Sequence, residues 1–267
     1  MSKYDKNSHT FVVCAYQESP YLEQCIVSLL NQTVKTRICI ATSTPNTYIK
    51  AIAEKYNLEL KINEGEKGIA GDWNFAISCA ETPLVTLAHQ DDMYDSDYVK
   101  SVLKVLTCCK KPLIVFSDYC EIRNDRIEEK NKLLAVKRMM LAPLKCRWLW
   151  SSKGVRRSIL AMGNAICCPS VTFVKENLDC PIFINNMKSN IDWQAWEALS
   201  RQEGGFVYIS IPLMKHRIHE ESTTSGLIEE EGRRAEDLFM FQKFWPKWIA
   251  ALIGRIYCSS EKSNKLK

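Results

Sequence analysis

Short apolar runs of β type alternate with helical segments through the first 120 residues. The first run, TFVVCAY, is followed by a segment whose apolar residues at positions 22, 26, 29 and 30 fall on one helical face. Four more strand-like runs follow at similar spacing, namely RICIAT, LELKIN, PLVTLAH and PLIVFSDY. Short strands that alternate with helices indicate βαβ units around a mostly parallel sheet. The sequence therefore predicts an α/β fold with a mostly parallel central sheet flanked by helices.

The second half of the chain is less regular. Residues 121–153 are charged and weakly periodic, with one helix predicted in KLLAVKRMMLAPL. Further on, GNAICCPSVTFVKEN and FVYISIPLMKHRIH are typical of strands, and IDWQAWEALSRQEG of a helix that ends at a glycine pair. Because no stretch has the composition of a linker, we predict one domain over residues 1–232, with halves of about 10–120 and 121–232, followed by a C-terminal helical segment over 233–267.

The cysteines and the lengths of the apolar runs indicate the cellular compartment in which the protein is expected. The twelve cysteines lie inside apolar runs and form no C-x-x-C pair, and the first ten residues are polar, without the apolar region of a secretory signal. The longest apolar run near the C-terminus covers residues 248–253, well short of the roughly 18 residues of a membrane span. We therefore expect reduced thiols and a cytoplasmic protein.

The positive charge is concentrated at the C-terminus. From Arg233 onward there are eight basic and three acidic residues, which accounts for the whole net charge of +5. Aromatic and aliphatic residues are interspersed with this charge. Two interpretations stay open: a helix that packs on its own domain with a solvated basic face, or peripheral contact with an anionic membrane surface. Nucleic-acid binding is not expected, because no basic stripe runs through the rest of the chain.

One apolar run ends abruptly in acidic residues. In TPLVTLAHQDDMYDSDYV the run is followed by His89, Asp91, Asp92, Asp95 and Asp97. Crowded carboxylates repel one another unless a cation, a ligand or solvent relieves them, and ligands of parallel sheets bind where strands end. The cluster is therefore either a site for a divalent cation that carries a phosphate group, or a solvated turn in which Asp91 or Asp95 caps the next helix.

Two histidines and an arginine follow the last predicted strand. His216 and His219 are three residues apart, so on a strand they would point to opposite faces. We therefore expect only one of them to reach a cation at the acidic cluster, with Arg217 available to a phosphate; a purely structural role for either histidine stays open. The polar residues 222–225 are either an ordinary loop or a loop that closes over a ligand.

A further carboxylate lies between two tryptophans. Asp192 is flanked by Trp193 and Trp196 at the start of a predicted helix. Either Asn190 or Asp192 caps this helix, or the Asp192 carboxylate is a general base whose pKa is raised by its apolar surroundings, with the indoles as a platform for a sugar ring.

The order of these stretches resembles the GT-A-fold family 2 glycosyltransferases. The resemblance rests on FVVCAYQESPYLEQCIVSLLNQT, on INEGEKGIAGDWNFAISCAETPLVTLAHQDD, and on the three later stretches GNAICCPSVTF, NIDWQAWEALS and HRIHEESTT, and it covers residues 10–225. It implies a GT-A fold with a donor half and an acceptor half. It also implies inverting transfer of a sugar from a nucleotide-diphosphate donor to a hydroxyl of a growing capsule, exopolysaccharide or O-antigen type glycan.

The resemblance also implies roles for particular residues. His89 begins the stretch at the D-x-D position, with Asp91 and Asp92 holding Mn or Mg, Asp192 as general base, and His216 or His219 as a late ligand. Arg217 would stabilise the departing diphosphate. Residues expected around the nucleotide are Tyr16, Thr42, Ser43, Asn63, Asn74 and His89. The sequence departs from the family at His89, which replaces an aspartate, and at ATSTPN, which lacks the acidic residues that usually read the base.

Two alternatives and one partner complete the interpretation. A sugar-phosphate nucleotidyltransferase needs a glycine-rich basic loop after the first strand, and CAYQESPY has neither glycine nor a basic residue. A non-catalytic member that binds a glycan or a partner protein stays open. For an active enzyme, the basic aromatic C-terminus favours a lipid-linked acceptor and a position on the inner face of the membrane.

Overall fold

The computed structural model describes residues 3–218 and 229–262. Within these residues, nine strands form one mixed sheet in the order β3-β2-β1-β4-β8-β6-β9-β5, with β7 paired to β6. The strands are β1 (His9–Ala15), β2 (Arg37–Thr42), β3 (Glu59–Ile62), β4 (Leu84–His89), β5 (Met93–Tyr94), β6 (Pro112–Arg123), β7 (Arg126–Glu128), β8 (Val171–Val174) and β9 (Gly205–Ile218). The helices are α1 (Leu22–Leu30), α2 (Thr47–Lys55), α3 (Ile69–Cys79), α4 (Tyr98–Leu106), α5 (Lys132–Leu141), α6 (Lys153–Leu160), α7 (Ile191–Arg201), α8 (Glu229–Gln242) and α9 (Lys247–Lys262).

The sheet has a parallel part and a mixed part. Strands β3, β2, β1 and β4 are parallel, and the helical crossovers between them are those predicted from the sequence. Beyond β4 the sheet changes direction, because β8 pairs antiparallel with both β4 and β6, whereas β6 and β9 pair parallel over most of their length. The α/β fold with a mostly parallel sheet is confirmed. The parallel part brings the carboxyl ends of β1, β2 and β4 to one edge.

Buried hydroxyl groups fix the strands where the two parts meet. Nε2 of His9 lies 2.8 Å from Oγ1 of Thr86, which in turn lies 2.7 Å from Oγ1 of Thr172 on the antiparallel strand β8. The hydroxyl of Tyr98 extends this chain at 3.0 Å. Burial lowers the pKa of His9 to about 3, so its imidazole is neutral. A one-residue shift between β4 and β8 would separate these partners, so the chain specifies the register.

Several elements begin or end elsewhere than predicted. The sequence predicts Ser19 as the N-cap and Pro20 as the first helical residue, but helix α1 begins at Leu22, because the Ser19 hydroxyl accepts from the Tyr21 amide in a turn before the helix. Strand β8 is only four residues long, since residues 168–170 form a 3-10 turn. Strand β6 is longer than predicted and continues to Arg123, because its second half pairs with β9.

The C-terminal helices pack on the domain. The Glu236 carboxylate accepts hydrogen bonds from the three backbone amides of residues 188–190, at 2.7–3.0 Å, and so holds α8 beside the start of α7. On α9, the Tyr257 ring contacts the rings of Trp193 and Phe241. In the described part of the chain, no helix is both long enough and apolar enough to cross a membrane.

Candidate functional site

The acidic turn after β4 gathers three potential metal ligands. One ligand atom from each of His89, Asp91 and Asp92 lies within 4.8 Å of the other two. Asp92 is fully buried, and its Oδ1 accepts from the backbone amide of Arg217 at 2.9 Å and from Nδ1 of His216 at 3.0 Å. Its Oδ2 is buried and has no hydrogen-bond partner within residues 3–218 and 229–262. A buried carboxylate oxygen of this kind favours a cation as its partner.

The histidine of this turn has the form that a metal requires. Trp73 stacks on the His89 ring at 5.1 Å between centroids, and burial lowers the pKa of His89 in spite of the neighbouring carboxylates. Its Nε2 is also buried, without a hydrogen-bond partner among the described residues. A neutral imidazole together with carboxylate oxygens is a donor set that Mn²⁺ accepts, so these residues fit the implied cation.

The middle residue of the turn ties it to the first strand. The Gln90 side chain accepts from the Tyr16 amide and donates to the Tyr16 carbonyl, both at 2.9 Å. The Tyr16 ring is 55% exposed and lies at the edge of the site. The ends of β1 and β4 are therefore held together by a pair of hydrogen bonds that needs no charge.

Two other aspartates of the acidic run lie outside this group. Asp97 precedes α4 and accepts from Thr33 and Lys100, whereas Oδ1 of Asp95 accepts from the Asp97 amide at 3.0 Å. Neither Asp91 nor Asp95 supplies a helix cap to α4 among the described residues. The interpretation of the cluster as a cap for the next helix was therefore wrong.

Arg217 supports the acidic turn through its backbone. It is 4% exposed, and its Nε donates to the Asp91 carbonyl at 3.1 Å. Its two terminal nitrogens donate to Asp125 Oδ1 at 3.0 Å and to Gln24 Oε1 at 2.9 Å, and the guanidinium stacks on Tyr21 at 4.2 Å. All three guanidinium nitrogens thus have acceptors within the protein, so Arg217 fixes the position of the acidic turn.

Of the two late histidines, the structure describes His216. Its side chain is 28% exposed, and its ring forms a T-shaped pair with the Tyr119 ring, with 6.2 Å between the ring centroids. Burial opposes the charged ring, but the Asp92 and Asp91 carboxylates outweigh burial, so the pKa of His216 lies above its usual value. His216 meets the acidic turn through Asp92. His219 and residues 222–225, interpreted as either an ordinary loop or a loop that closes over a ligand, lie outside the described residues.

The predicted general base is a half-buried carboxylate at the start of α7. Oδ2 of Asp192 accepts from Asn164 at 2.7 Å, and Oδ1 accepts from the Trp193 amide at 2.8 Å. Burial raises the pKa of Asp192 in spite of these hydrogen bonds. Asn190 occupies the N-cap position of α7, as one interpretation had it, but among the described residues no side chain caps this helix by a hydrogen bond, and Asp192 lies inside its first turn. Trp193 and Trp196 are fully buried in the core, so the expectation of an indole platform was wrong.

Sequence reasoning missed a lysine in the same region. Nζ of Lys137, on α5, donates to the Tyr119 hydroxyl at 2.8 Å. Lys137 also lies close enough to Asp192 and His216 to influence the pKa of each. The sequence predicted a helix here but contained no signal that singled out this lysine, because its position near the site follows from the hydrogen bonds between α5 and β6.

A second carboxylate was missed on the nucleotide side. Asp72, in the first turn of α3, accepts from Ser43 Oγ at 2.8 Å and from Asn63 Nδ2 at 2.7 Å. Thr42 is buried, and its hydroxyl accepts from the Thr44 amide at 3.1 Å at the end of β2. A carboxylate from α3 thus lies beside the ATSTPN stretch, and Ser43 and Asn63 hold it in place.

Asn74 lies on the same helix, and its side chain forms hydrogen bonds with backbone groups of residues 182–183. Its Oδ1 accepts from the amides of Ile182 and Phe183, at 3.1 and 3.0 Å, and its Nδ2 donates to the Phe183 carbonyl at 2.7 Å. The side chain amide therefore anchors a loop of the second half against α3.

Gly71 allows the loop that precedes α3 to pack closely against that helix. A Cβ atom at Gly71 would lie 2.3 Å from the backbone oxygen of Glu66, far inside contact distance. Asn63 closes the same loop by donating to that oxygen at 2.9 Å. The absence of a side chain at Gly71 therefore allows this loop to pack directly against the first turn of α3, which carries Asp72.

The mixed α/β sheet with an acidic turn at the end of β4 is the arrangement expected of glycosyltransferases of the GT-A fold. Residues 10–149, a little over half of the chain, match the family model described as "Glycosyl transferase family 2". The chain therefore belongs to glycosyltransferase family 2. Among curated protein sequences, none matches it significantly.

Solved structures share the fold at low sequence identity. The S. aureus TarS 1-349 structure in complex with UDP-GlcNAc has a TM-score of 0.61 and 15% identity, over 92% of this chain and 70% of that one. The mannosyltransferase PcManGT from Pyrobaculum calidifontis in complex with GDP-Man and Mn2+ has a TM-score of 0.55 and 14% identity, over 96% and 71%. The predicted GT-A fold and family are confirmed.

Proposed function

We propose that the protein is an inverting glycosyltransferase that moves a sugar from a nucleoside-diphosphate donor to a hydroxyl of a growing surface glycan. One observation carries the proposal: His89 Nε2 and Asp92 Oδ2 are buried without a hydrogen-bond partner in the described part of the chain, they lie with Asp91 in one group of potential ligands, and His89 lies within electrostatic reach of Asp192. An ionic site for the leaving group and a base for the attacking group thus share one cleft.

The nucleobase is proposed to bind at the ends of β1 and β2. Asp72 offers carboxylate oxygens there, held by Ser43 and Asn63, and Tyr16 offers an exposed ring beside them. A carboxylate accepts from the ring N–H of uracil or of guanine, whereas neutral cytosine and adenine present ring acceptors instead. Thymine presents the same ring N–H as uracil, so the carboxylate selects these three bases; of these, we expect uracil or guanine, the bases of the donors in the two related structures.

Several side chains are proposed to prepare the site for the diphosphate. A divalent cation on His89, Asp91 and Asp92 would supply charge neutralisation for the leaving group. Lys137 places an ammonium near the same cleft, and we assign to it the phosphate contact that the sequence suggested for Arg217. Arg217 instead keeps the acidic turn in place through its contacts with backbone and side chains.

Asp192 is proposed to take the proton from the acceptor hydroxyl. Its raised pKa makes the carboxylate a stronger base than an exposed aspartate, and Asn164 fixes its orientation. A single displacement, in which the hydroxyl oxygen bonds to the anomeric carbon as the diphosphate leaves, inverts that carbon. We further propose a lipid-linked acceptor of capsule, exopolysaccharide or O-antigen type, and an enzyme that works at the cytoplasmic face of the membrane.

The test combines nucleotide binding with donor hydrolysis. Calorimetry with a panel of nucleoside diphosphates, with and without Mn²⁺, should show metal-dependent binding of the uridine or guanosine nucleotide, and Asp91→Ala should abolish it. Slow hydrolysis of the matching donor sugar should be lost in Asp192→Asn, whereas nucleotide binding by that variant should persist. Binding without hydrolysis by the wild type would favour a non-catalytic member, and binding of no nucleotide would refute the proposal.

A further inference from the structure

Helix α9 carries an exposed apolar row. Trp248, Leu252 and Ile256 are 73%, 55% and 64% exposed, and their spacing of four residues puts them on one side of the helix. The opposite side of α9 is buried, with Ala250 fully covered and Tyr257 packed on Trp193. The packing that holds α9 on the domain therefore leaves a second apolar face toward solvent, which is unusual for a monomeric surface.

The charges beside this row have one sign. Lys247 and Arg255 are both exposed; by helical spacing Arg255 lies beside Trp248 and Lys247 lies at the margin of the row, and the sequence between Asp237 and Glu261 contains no acidic residue. We call Trp248, Leu252, Ile256 and these two basic residues the lipid face. A second copy of the chain would bring the same positive charges against these, which disfavours a symmetric dimer through this face. An anionic bilayer complements both its apolar and its basic groups.

We propose that the lipid face docks on anionic phospholipid headgroups, with α9 lying in the plane of the bilayer surface. The apolar row enters the boundary between headgroups and acyl chains, where a tryptophan is especially favourable, and the basic residues meet lipid phosphates. This would place a helix that is already packed on the catalytic domain directly on the membrane.

The buried side of α9 connects this surface to the acceptor side of the site. The Tyr257 ring approaches Gly163 so closely that a Cβ atom there would lie 2.7 Å away, and Gly163 precedes Asn164, the partner of Asp192. The link to a lipid-linked acceptor rests on the proposed function, whereas lipid binding itself rests only on the lipid face. Docking would hold the Asp192 side of the cleft near the membrane that carries the acceptor.

Vesicle flotation of the full chain tests the proposal. The wild type should float with phosphatidylglycerol–phosphatidylcholine vesicles and much less with phosphatidylcholine alone. The triple variant Trp248→Ser, Leu252→Ser, Ile256→Ser changes only exposed positions and should lower the partition coefficient by about a hundredfold. Replacing both basic residues of the lipid face by glutamine should lower binding to the anionic vesicles by about tenfold or more at low salt. The control Ile127→Ser, Ile211→Ser alters two apolar side chains of similar exposure, 55% and 59%, and should float as the wild type does.

Each contrary result overturns the inference. No flotation of the wild type, equal flotation of wild type and triple variant, or equal binding to neutral and anionic vesicles would each refute it. A dimer in sedimentation that the triple variant abolishes, without vesicle binding, would show that the face binds a second copy. Nucleoside diphosphate binding, measured without vesicles, should be unchanged in the triple variant. If the wild type floats as expected but binds no nucleotide, the proposed function fails while the lipid face stands.

Discussion

The substitution Asp92→Asn distinguishes between two roles of the Asp92 carboxylate, as a cation ligand and as a structural group. In the folded protein Oδ1 of Asp92 already has two donors, whereas Oδ2 is buried with no partner in the described part of the chain. An asparagine keeps an oxygen for the Arg217 amide and the His216 ring but places an NH₂ group where Oδ2 lies. Without metal, the free energy of unfolding should therefore change by less than about 1 kcal/mol, because both existing hydrogen bonds can persist.

The effect appears when Mn²⁺ is added. A ligand present at about 100 times its Kd and bound only to the folded state stabilises it by about 2.7 kcal/mol. For a chain of this size, 1 kcal/mol corresponds to a change in Tm of about 2–4 °C. Saturating Mn²⁺ should thus raise the Tm of the wild type by about 5–10 °C, and Asp92→Asn should lose most of this shift.

Thermal denaturation over a Mn²⁺ titration measures both quantities, and Asp125→Asn provides a matched control. Asp125 also contacts Arg217, but its side chain is 90% exposed, and its φ of 57° is one that asparagine adopts readily. This control should keep the full Mn²⁺ shift. The reasoning is refuted if Asp92→Asn keeps the shift, if both variants lose it equally, or if Asp92→Asn unfolds several degrees below the wild type without metal.

Three further predictions concern the base, the lysine and the loop before α3. Asp192 acts only when deprotonated, so kcat/KM should fall as the pH drops through its raised pKa, and Asn164→Ala, which removes a hydrogen bond to the carboxylate, should move this acid limb to higher pH; an unmoved limb in the pH profile would contradict the assignment. Lys137→Met should lower kcat/KM for the donor by about 10–100-fold, with partial recovery in Lys137→Arg, whereas equal kinetics of all three proteins would exclude the phosphate contact. Gly71→Ala places a methyl group against a backbone carbonyl and should lower the free energy of unfolding by about 1–3 kcal/mol in urea denaturation; an unchanged midpoint would show that the loop moves freely.

The sequence was informative where local pattern decides the structure. The period of apolar residues identifies the strands and helices of the parallel half, and the acidic end of β4 follows from a strand that stops in carboxylates. The site residues that were missed depend on tertiary packing instead. Asp72 occupies an ordinary first-turn position of α3, and Lys137 is one of several basic residues on α5, so neither differs in sequence from a solvated side chain.

The mixed half of the sheet was harder to predict for a related reason. Strand β8 is only four residues long, and the extra length of β6 is set by its pairing with β9, which lies about 90 residues further along the chain. Such pairing has no local signature. The direction of Arg217 is a consequence of it, because the pairing of β9 with β5 and β6 turns the guanidinium toward Asp91 and Gln24.

The hydrogen bonds from β9 to Asp92 also determine when, during synthesis of the chain, the acidic turn can reach its final structure. The acidic turn leaves the ribosome early, but the amide and the imidazole that hold its buried carboxylate belong to residues 216–217, more than 120 positions later. A nascent chain that ends before β9 contains the whole parallel half and still lacks the groups that organise this carboxylate. Translation must therefore pass residue 217 before the Asp92 carboxylate is held in this way, and under the proposed function an incomplete polypeptide would bind the cation and the donor sugar poorly.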